Sequence, residues 1–207
     1  MIILTTSAKK RHLAIREAVR ALKRGDVIAF PTETTYGLGC DPRNAAAVRR
    51  IYRIKGRDNG KPLQLIAGSL AQVRRLAVLS KPVAKLVRKH WPGPLTLLLP
   101  LRPSVKLPSK VNPKRIIGIR VTSSAFVREL SLAFGSPIAA TSANRSGRPS
   151  SYSGRAVVRA FVSGEKPDLL IDIGALPKRR PSTVARVKDN GTVEVLRRGP
   201  VRLPKRV

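Results

Sequence analysis

Lys55, Arg57 and Lys61 place three cations in one short polar stretch that also carries Gly56 and Gly60. On an extended segment, side chains two residues apart point the same way, so Lys55 and Arg57 can converge on one anion. Lysine brings a mobile point charge and arginine a planar fork matched to phosphate or carboxylate oxygens. Gly56 lets the backbone come close. A second cluster, Thr141-Ser142-Ala143-Asn144, follows the apolar run Pro137–Ala140. It puts short hydroxyl and amide donors at the end of a strand, the edge of an α/β sheet where ligands bind. A third cluster, Pro31-Thr32-Glu33-Thr34-Thr35-Tyr36-Gly37, follows Val27–Phe30 and crowds hydroxyls, a carboxylate and a phenol together. Each has an ordinary alternative: a charge run is often a solvated face, Ser and Asn favour turns, and Glu33 could be a cap.

Several chemistries are excluded or unsupported. There is no GxxxxGK[ST] and no GxGxxG between a strand and a helix, so a nucleotide site here needs another architecture. Cys40 is the single cysteine, and with only His12 and His90 beside it neither a disulfide nor a Cys/His zinc site can be assembled. No run approaches the ~18 apolar residues of a membrane span. Nothing near the N-terminus resembles a secretory signal, so a cytoplasmic location is expected. The net charge of +31 draws polyanions, with nucleotides and RNA foremost. Residues 178–207 are basic even by that standard. Aromatic residues make up only 4% of the chain, too few for extensive base stacking.

Positioning these clusters requires alternating helices and strands. A strand is expected over Ile2–Thr5, then a helix capped by Ser7, with Ile15, Ala18, Val19 and Leu22 on one face and Gly25 at its end. Asn44 can cap a second helix carrying Val48, Ile51 and Tyr52, which runs out into the loop 55–61. Leu63–Ile66, Leu95–Leu99, Ile116–Val121 and Leu169–Ile173 read as strands. Helices are expected after Ser69, over Pro82–His90, from Ser123 or Ser124 to Phe134, and around Val157–Phe161. Residues 100–114 read as an exposed loop. Thr183–Val187 and Val193–Leu196 flank Asp189-Asn190-Gly191, a strong hairpin signal. Hairpins mixed with crossovers predict an α/β (α+β mixed) fold: a twisted, largely open mixed sheet flanked by helices. With 42% apolar residues in 207, one domain over 1–200 with a basic tail over 201–207 is expected.

The three clusters together resemble the YrdC-like family of threonylcarbamoyl-AMP synthases. The pattern of Lys-x-Arg with a distant Ser-x-Asn stands here as Lys55, Arg57, Ser142 and Asn144. Further similar stretches are Trp91-Pro92-Gly93-Pro94-Leu95-Thr96, Gly118-Ile119-Arg120-Val121, Pro181-Ser182-Thr183-Val184 and Leu196-Arg197-Arg198-Gly199. The resemblance runs from about residue 8 to 200.

The resemblance implies a sheet enclosing a large basic concave cleft. It implies an enzyme, a nucleotidyltransferase that converts L-threonine, bicarbonate and ATP to threonylcarbamoyl-AMP and pyrophosphate. The product would feed the proteins that modify a tRNA adenosine beside the anticodon. By similarity, Lys55, Arg57, Lys61, Ser142, Asn144 and Arg197 would hold the nucleotide, with Lys55 and Arg57 also serving catalysis. Thr34, Arg120 and Ser182 would hold threonine. Glu33 and Tyr36 would order the first loop, and Mg2+ would accompany ATP without a protein metal site. Asp58 stands where a proline is common in the family, and Ile66 where many relatives have histidine. A short form without an extra C-terminal domain is expected. The alternative function is an RNA- or ribosome-binding protein that uses the basic cleft as a docking surface.

Overall fold

Strand β1 (Ile2–Thr5) opens the chain in the computed structural model, which describes residues 1–6, 10–56 and 61–207. Helix α1 (Arg11–Arg24) follows and turns Ala14, Ile15, Ala18, Ala21 and Leu22 inward, the 3.6-residue period the sequence predicts. Gly25 ends it at φ 86°, in the left-handed region, with its N–H bonded back to Ala21 and Leu22 carbonyls. The expected cap Ser7 lies outside the described residues. Lys10 stands at the cap position and makes no side-chain cap bond.

β2 (Ile28–Pro31) and β3 (Tyr36–Cys40) form a hairpin, and helix α2 (Ala45–Lys55) follows. Asn44 caps α2, its Oδ1 accepting from Ala47 N at 3.0 Å. Sequence reading places no strand at 36–40, because Gly37 and Gly39 disguise it. The strand is wholly buried, and Gly39 is demanded by packing. A Cβ on Gly39 would lie 2.6 Å from Phe30 Cε1 and 2.8 Å from Ile138 Cγ2.

The remaining elements are β4 (Gln64–Ala67), α3 (Leu70–Leu76), α4 (Lys81–His90), β5 (Leu95–Pro100), β6 (Ile116–Val121), α5 (Ala125–Phe134), β7 (Ile138–Ser142), α6 (Gly154–Ala160), β8 (Leu169–Asp172), β9 (Thr183–Val187) and β10 (Val193–Arg197). The stretch 100–114 contains no strand after Pro100 and leads into a 3-10 turn at Pro113–Arg115.

The described strands make one mixed sheet in the order β1-β8-β2-β3-β7-β4-β6-β5-β9-β10. β1 and β2 run parallel to β8, β4 parallel to β6, and β5 parallel to β9, while the other neighbours are antiparallel. This is the mixed, helix-flanked sheet the sequence predicts. Helices cover both faces, giving two apolar clusters. One packs α1 and α5 against β2, β7 and β8 through Leu22, Phe30, Val127, Leu130 and Ile138. The other gathers Tyr36, Ile51, Ile54, Leu65, Leu97 and Ile119. Residues 201–207 return along β10. Val193 N donates to Lys205 O at 2.9 Å, and Val207 N to Gly191 O at 3.0 Å. Val201, Leu203 and Val207 pack on the second cluster. Among the described residues no helix is long and apolar enough to cross a membrane.

Candidate functional site

A cleft of about 270 Å³ opens where strand ends from both halves of the sheet meet. Thr34, Lys55, Lys61, Arg120, Ser142, Asn144, Ser182 and Arg197 all line it. The structure therefore brings together in one hollow every described residue singled out as nucleotide- or threonine-binding. Arg57, like Asp58, lies outside the described residues.

Two groups of side chains divide the lining. The first surrounds Lys55. This residue does not sit on the extended segment that its spacing to Arg57 suggests. It is the last residue of α2, and Gly56 closes the helix at φ 56°. The helix continues because Ile51, Tyr52 and Ile54 still have a core to enter, and glycine supplies the left-handed stop. Lys55 is 4% exposed. Its Nζ donates to Ser142 O at 2.7 Å and Asn144 O at 2.8 Å, and lies 3.3 Å from Asn144 Oδ1. Ser146 N returns a bond to Lys55 O at 2.8 Å. The ammonium thus pins the end of β7 to the end of α2, where helix carbonyls also favour a cation. Asn144 spends its amide on the same loop, donating to Arg145 O at 3.0 Å and to Arg148 O. Lys61 is exposed at the rim, and its carbonyl accepts from Tyr52 Oη at 2.9 Å.

The second group surrounds Ser182. Arg197 Nη2 donates to Ser182 Oγ at 2.9 Å and its Nε to Ser182 O at 2.9 Å. Arg120 Nη1 reaches the same Oγ at 3.5 Å. The resemblance assigns Arg197 to the nucleotide, but both of its bonds are to Ser182, which the resemblance assigns to threonine. A register shift between Val195 and Arg197 of β10 sets it opposite Val184. The residue is exposed as a whole, yet its guanidinium turns inward. There, burial and then the charge of Arg120 hold it below the usual arginine pKa. Two mutually repelling cations sharing one hydroxyl form a site that gains from an anion.

Arg120 has a counter-ion behind it. Its Nε lies 3.2 Å from Glu33 Oε1, an ion pair whose angles fall short of a hydrogen bond, with both side chains under 9% exposed. Thr122 Oγ1 donates to Glu33 Oε2 at 2.6 Å. Glu33 therefore steadies the arginine as well as its own loop. Thr34 sits in a turn whose hub is Thr32 Oγ1, which accepts from Thr34 N at 3.1 Å and Thr35 N at 3.2 Å. Tyr36 donates to Asp172 Oδ1 or Gly174 O, at 2.9 and 2.8 Å, and burial pushes its phenol pKa up. It is a structural post for the first loop.

Cys40 is buried in β3, its thiol pKa raised by burial and then by Asp41, and it does not line the cleft. Ile66 does line it, beside Arg120 in the β4–β6 register. Sequence reasoning missed Gln64, also in the lining, and Thr96, fully buried behind it. Among the described residues no group of His, Cys, Asp and Glu could hold a metal ion. Among the described residues of the lining there is no carboxylate.

The family model for Sua5, YciO and YrdC proteins, described as telomere recombination, matches residues 20–199. The threonylcarbamoyl-AMP synthase of Thiobacillus denitrificans is 38% identical over 178 residues, covering 85% of this chain and 90% of that protein. That of Chromohalobacter salexigens is 41% identical over 186 residues, covering 89% and 96%. Among solved structures, P. abyssi Sua5 complexed with L-threonine superposes with a TM-score of 0.84 at 32% identity, over 96% of this chain and 57% of that one. E. coli YciO superposes at 0.85 and 26% identity, over 100% of this chain and 98% of that one. This chain thus spans little more than half the length of the P. abyssi Sua5 chain.

Proposed function

The chain belongs to the Sua5/YciO/YrdC family, and on that premise we propose that it is a threonylcarbamoyl-AMP synthase. L-threonine, bicarbonate and ATP give threonylcarbamoyl-AMP, pyrophosphate and water. The observation that carries the reading is the pairing of two cationic groups in one cleft: Lys55 among the ends of α2 and β7, and Arg120 with Arg197 around Ser182.

The chemistry suits these residues. The threonine nitrogen is carboxylated, and a carbamate oxygen then attacks the α-phosphorus, expelling pyrophosphate. Holding the reactants together can supply about 7–11 kcal/mol of such a barrier, and fixed cations facing developing charge add to it. Arg120 offers its Nη edge to the threonine carboxylate, with Thr34 and Ser182 beside it. Arg197 stands between that carboxylate and the nucleotide. Lys55, Arg57, Lys61, Ser142 and Asn144 take the nucleotide and its phosphates. Lys55 acts there as a fixed positive field and as the pin that shapes the loop 142–146. Magnesium enters with ATP, held by the phosphates. The product would pass to the proteins that transfer the threonylcarbamoyl group to tRNA.

The decisive experiment is pyrophosphate release from ATP with and without threonine and bicarbonate, with the mass of the product determined. Release that requires both co-substrates and yields threonylcarbamoyl-AMP is expected. Release indifferent to threonine, or none, would remove the assignment.

A further inference from the structure

Ser182 Oγ stands within hydrogen-bond reach of three donors or acceptors: Arg197 Nη2 at 2.9 Å, Thr96 Oγ1 at 3.0 Å and Arg120 Nη1 at 3.5 Å. A hydroxyl has two lone pairs and one proton. Both guanidiniums can only donate, so they take the two lone pairs. The Ser182 proton must then go to Thr96 Oγ1. Thr96 in turn sends its own proton to Gln64 Oε1, at 3.4 Å. Every hydrogen in the chain is thereby directed away from the cations and into the wall.

The sheet is built to allow this. Thr96 is fully buried on β5 and does not line the cleft. β5 lies between β6, which carries Arg120, and β9, which begins beside Ser182. Gln64 is on β4, on the far side of β6, and must cross that strand to meet Thr96. It crosses over Gly118: a Cβ there would lie 3.4 Å from Gln64 Cγ and 3.6 Å from Thr96 Cγ2. The segment before Thr96 fixes the height of β5. Gly93 N donates to Val121 O at 2.9 Å, Thr183 N to Pro94 O at 2.9 Å, and Trp91 Nε1 to Leu95 O at 2.6 Å. The Trp91–Thr96 stretch and Gly118 thus both serve one hydroxyl.

We propose that Thr96 is a positioning residue for the acid-binding end of the cleft: it accepts the Ser182 proton and so holds Ser182 as the common acceptor of Arg120 and Arg197. Without that acceptor the Ser182 proton competes with one guanidinium, and the two cations lose their shared anchor. The proposal rests on the synthase reading for its substrate, but its physical content does not.

The test compares Thr96→Val, which removes the acceptor, with Thr96→Ser, which keeps it. Pyrophosphate release is followed while threonine is varied at saturating ATP, and then the reverse. Thr96→Val is expected to raise the threonine KM about tenfold, the usual scale for one lost buried hydrogen bond, with kcat and the ATP KM within about twofold of wild type. Thr96→Ser should restore the threonine KM. In parallel, side-chain spectra of 15N-arginine protein report the Arg197 Nε–H signal, assigned by its loss in Arg197→Lys. That signal should shift or broaden in Thr96→Val and return in Thr96→Ser. Should valine prevent folding, Thr96→Ala serves in its place. An unchanged threonine KM and Arg197 signal, equal losses for both substrates, or no rescue by serine would overturn the proposal. If the wild type released no threonine-dependent pyrophosphate, the synthase reading would fall and the Arg197 signal alone would decide the role of Thr96.

Discussion

The cleft holds its cations in two different ways. Around Lys55, the three ammonium hydrogens are met by the carbonyls of Ser142 and Asn144 and by Asn144 Oδ1, so the charge is fixed and its hydrogen bonds are already made. Around Ser182, two guanidiniums share one hydroxyl, and Arg197 bears a pKa depressed by burial and by Arg120. The first wall is complete without a ligand. The second is electrostatically unfinished: two cations face one carboxylate, Glu33 behind Arg120, among the described residues. A binding site can thus divide its labour between a settled charge that shapes the backbone and an unsettled pair that draws the acid in.

Lys55→Ala should show the largest effect. It removes the field that faces the phosphates and leaves two carbonyls with one partner fewer. Pyrophosphate release should fall more than about 100-fold, the scale seen when a preorganised electrostatic donor is lost. The melting temperature should fall too, since an orphaned buried acceptor costs about 1–3 kcal/mol. Lys55→Arg should not rescue, because a planar fork cannot replace an ammonium among converging carbonyls. An alanine variant with wild-type stability would show that the wall is less settled than its bonds imply. Arg57→Ala is expected to lose turnover as well.

Arg120→Lys comes next and probes the other wall. Lysine keeps a charge for Glu33 but cannot span both Glu33 and Ser182. The threonine KM should rise about 10- to 30-fold, with the ATP KM little changed, as for loss of a charge-assisted hydrogen bond. Arg120→Ala should also destabilise the protein, by about 3–5 kcal/mol, because it strands the buried carboxylate of Glu33. Steady-state kinetics and thermal melts on the two variants separate the effects. Equal rises in both KM values would mean that the two walls do not divide the substrates.

How legible these walls were in the sequence follows the same division. Helix α2, its Asn44 cap and the strand leading to Ser142 follow from period and cap residues close in sequence. The ion pair of Arg120 with Glu33 joins β6 to the β2–β3 turn across β7 and β4, a contact set by the sheet order. The meeting of Arg197 with Ser182 is half legible: the β9–β10 hairpin is predicted, but the register shift that sets Arg197 opposite Val184 is not. Strand β3 was hidden because Gly37 and Gly39 carry no strand propensity, and Gly39 is there to clear Phe30 and Ile138. Thr96 stood out only as the end of a family-like stretch: its type suits any strand, and its role comes from a hydroxyl at the start of another strand.

The smallest effect expected is the most discriminating. The folded state holds Arg197 below the ordinary arginine pKa, so at neutral pH the fold disfavours its charged form. A base whose pKa is lowered on folding opposes stability while it stays protonated. Arg197→Gln should therefore leave the ligand-free protein with an equal or slightly higher melting temperature, while turnover falls about tenfold, a trade of stability for function. The amide can still donate to the carbonyl of Ser182, so the end of β10 should stay in place. Added threonine should then raise the melting temperature less than it does in the wild type, because the anion no longer relieves a repulsion between two cations. A lower melting temperature in ligand-free Arg197→Gln would mean that the guanidinium's bonds to Ser182 outweigh its repulsion from Arg120, and that both walls are settled before any substrate arrives.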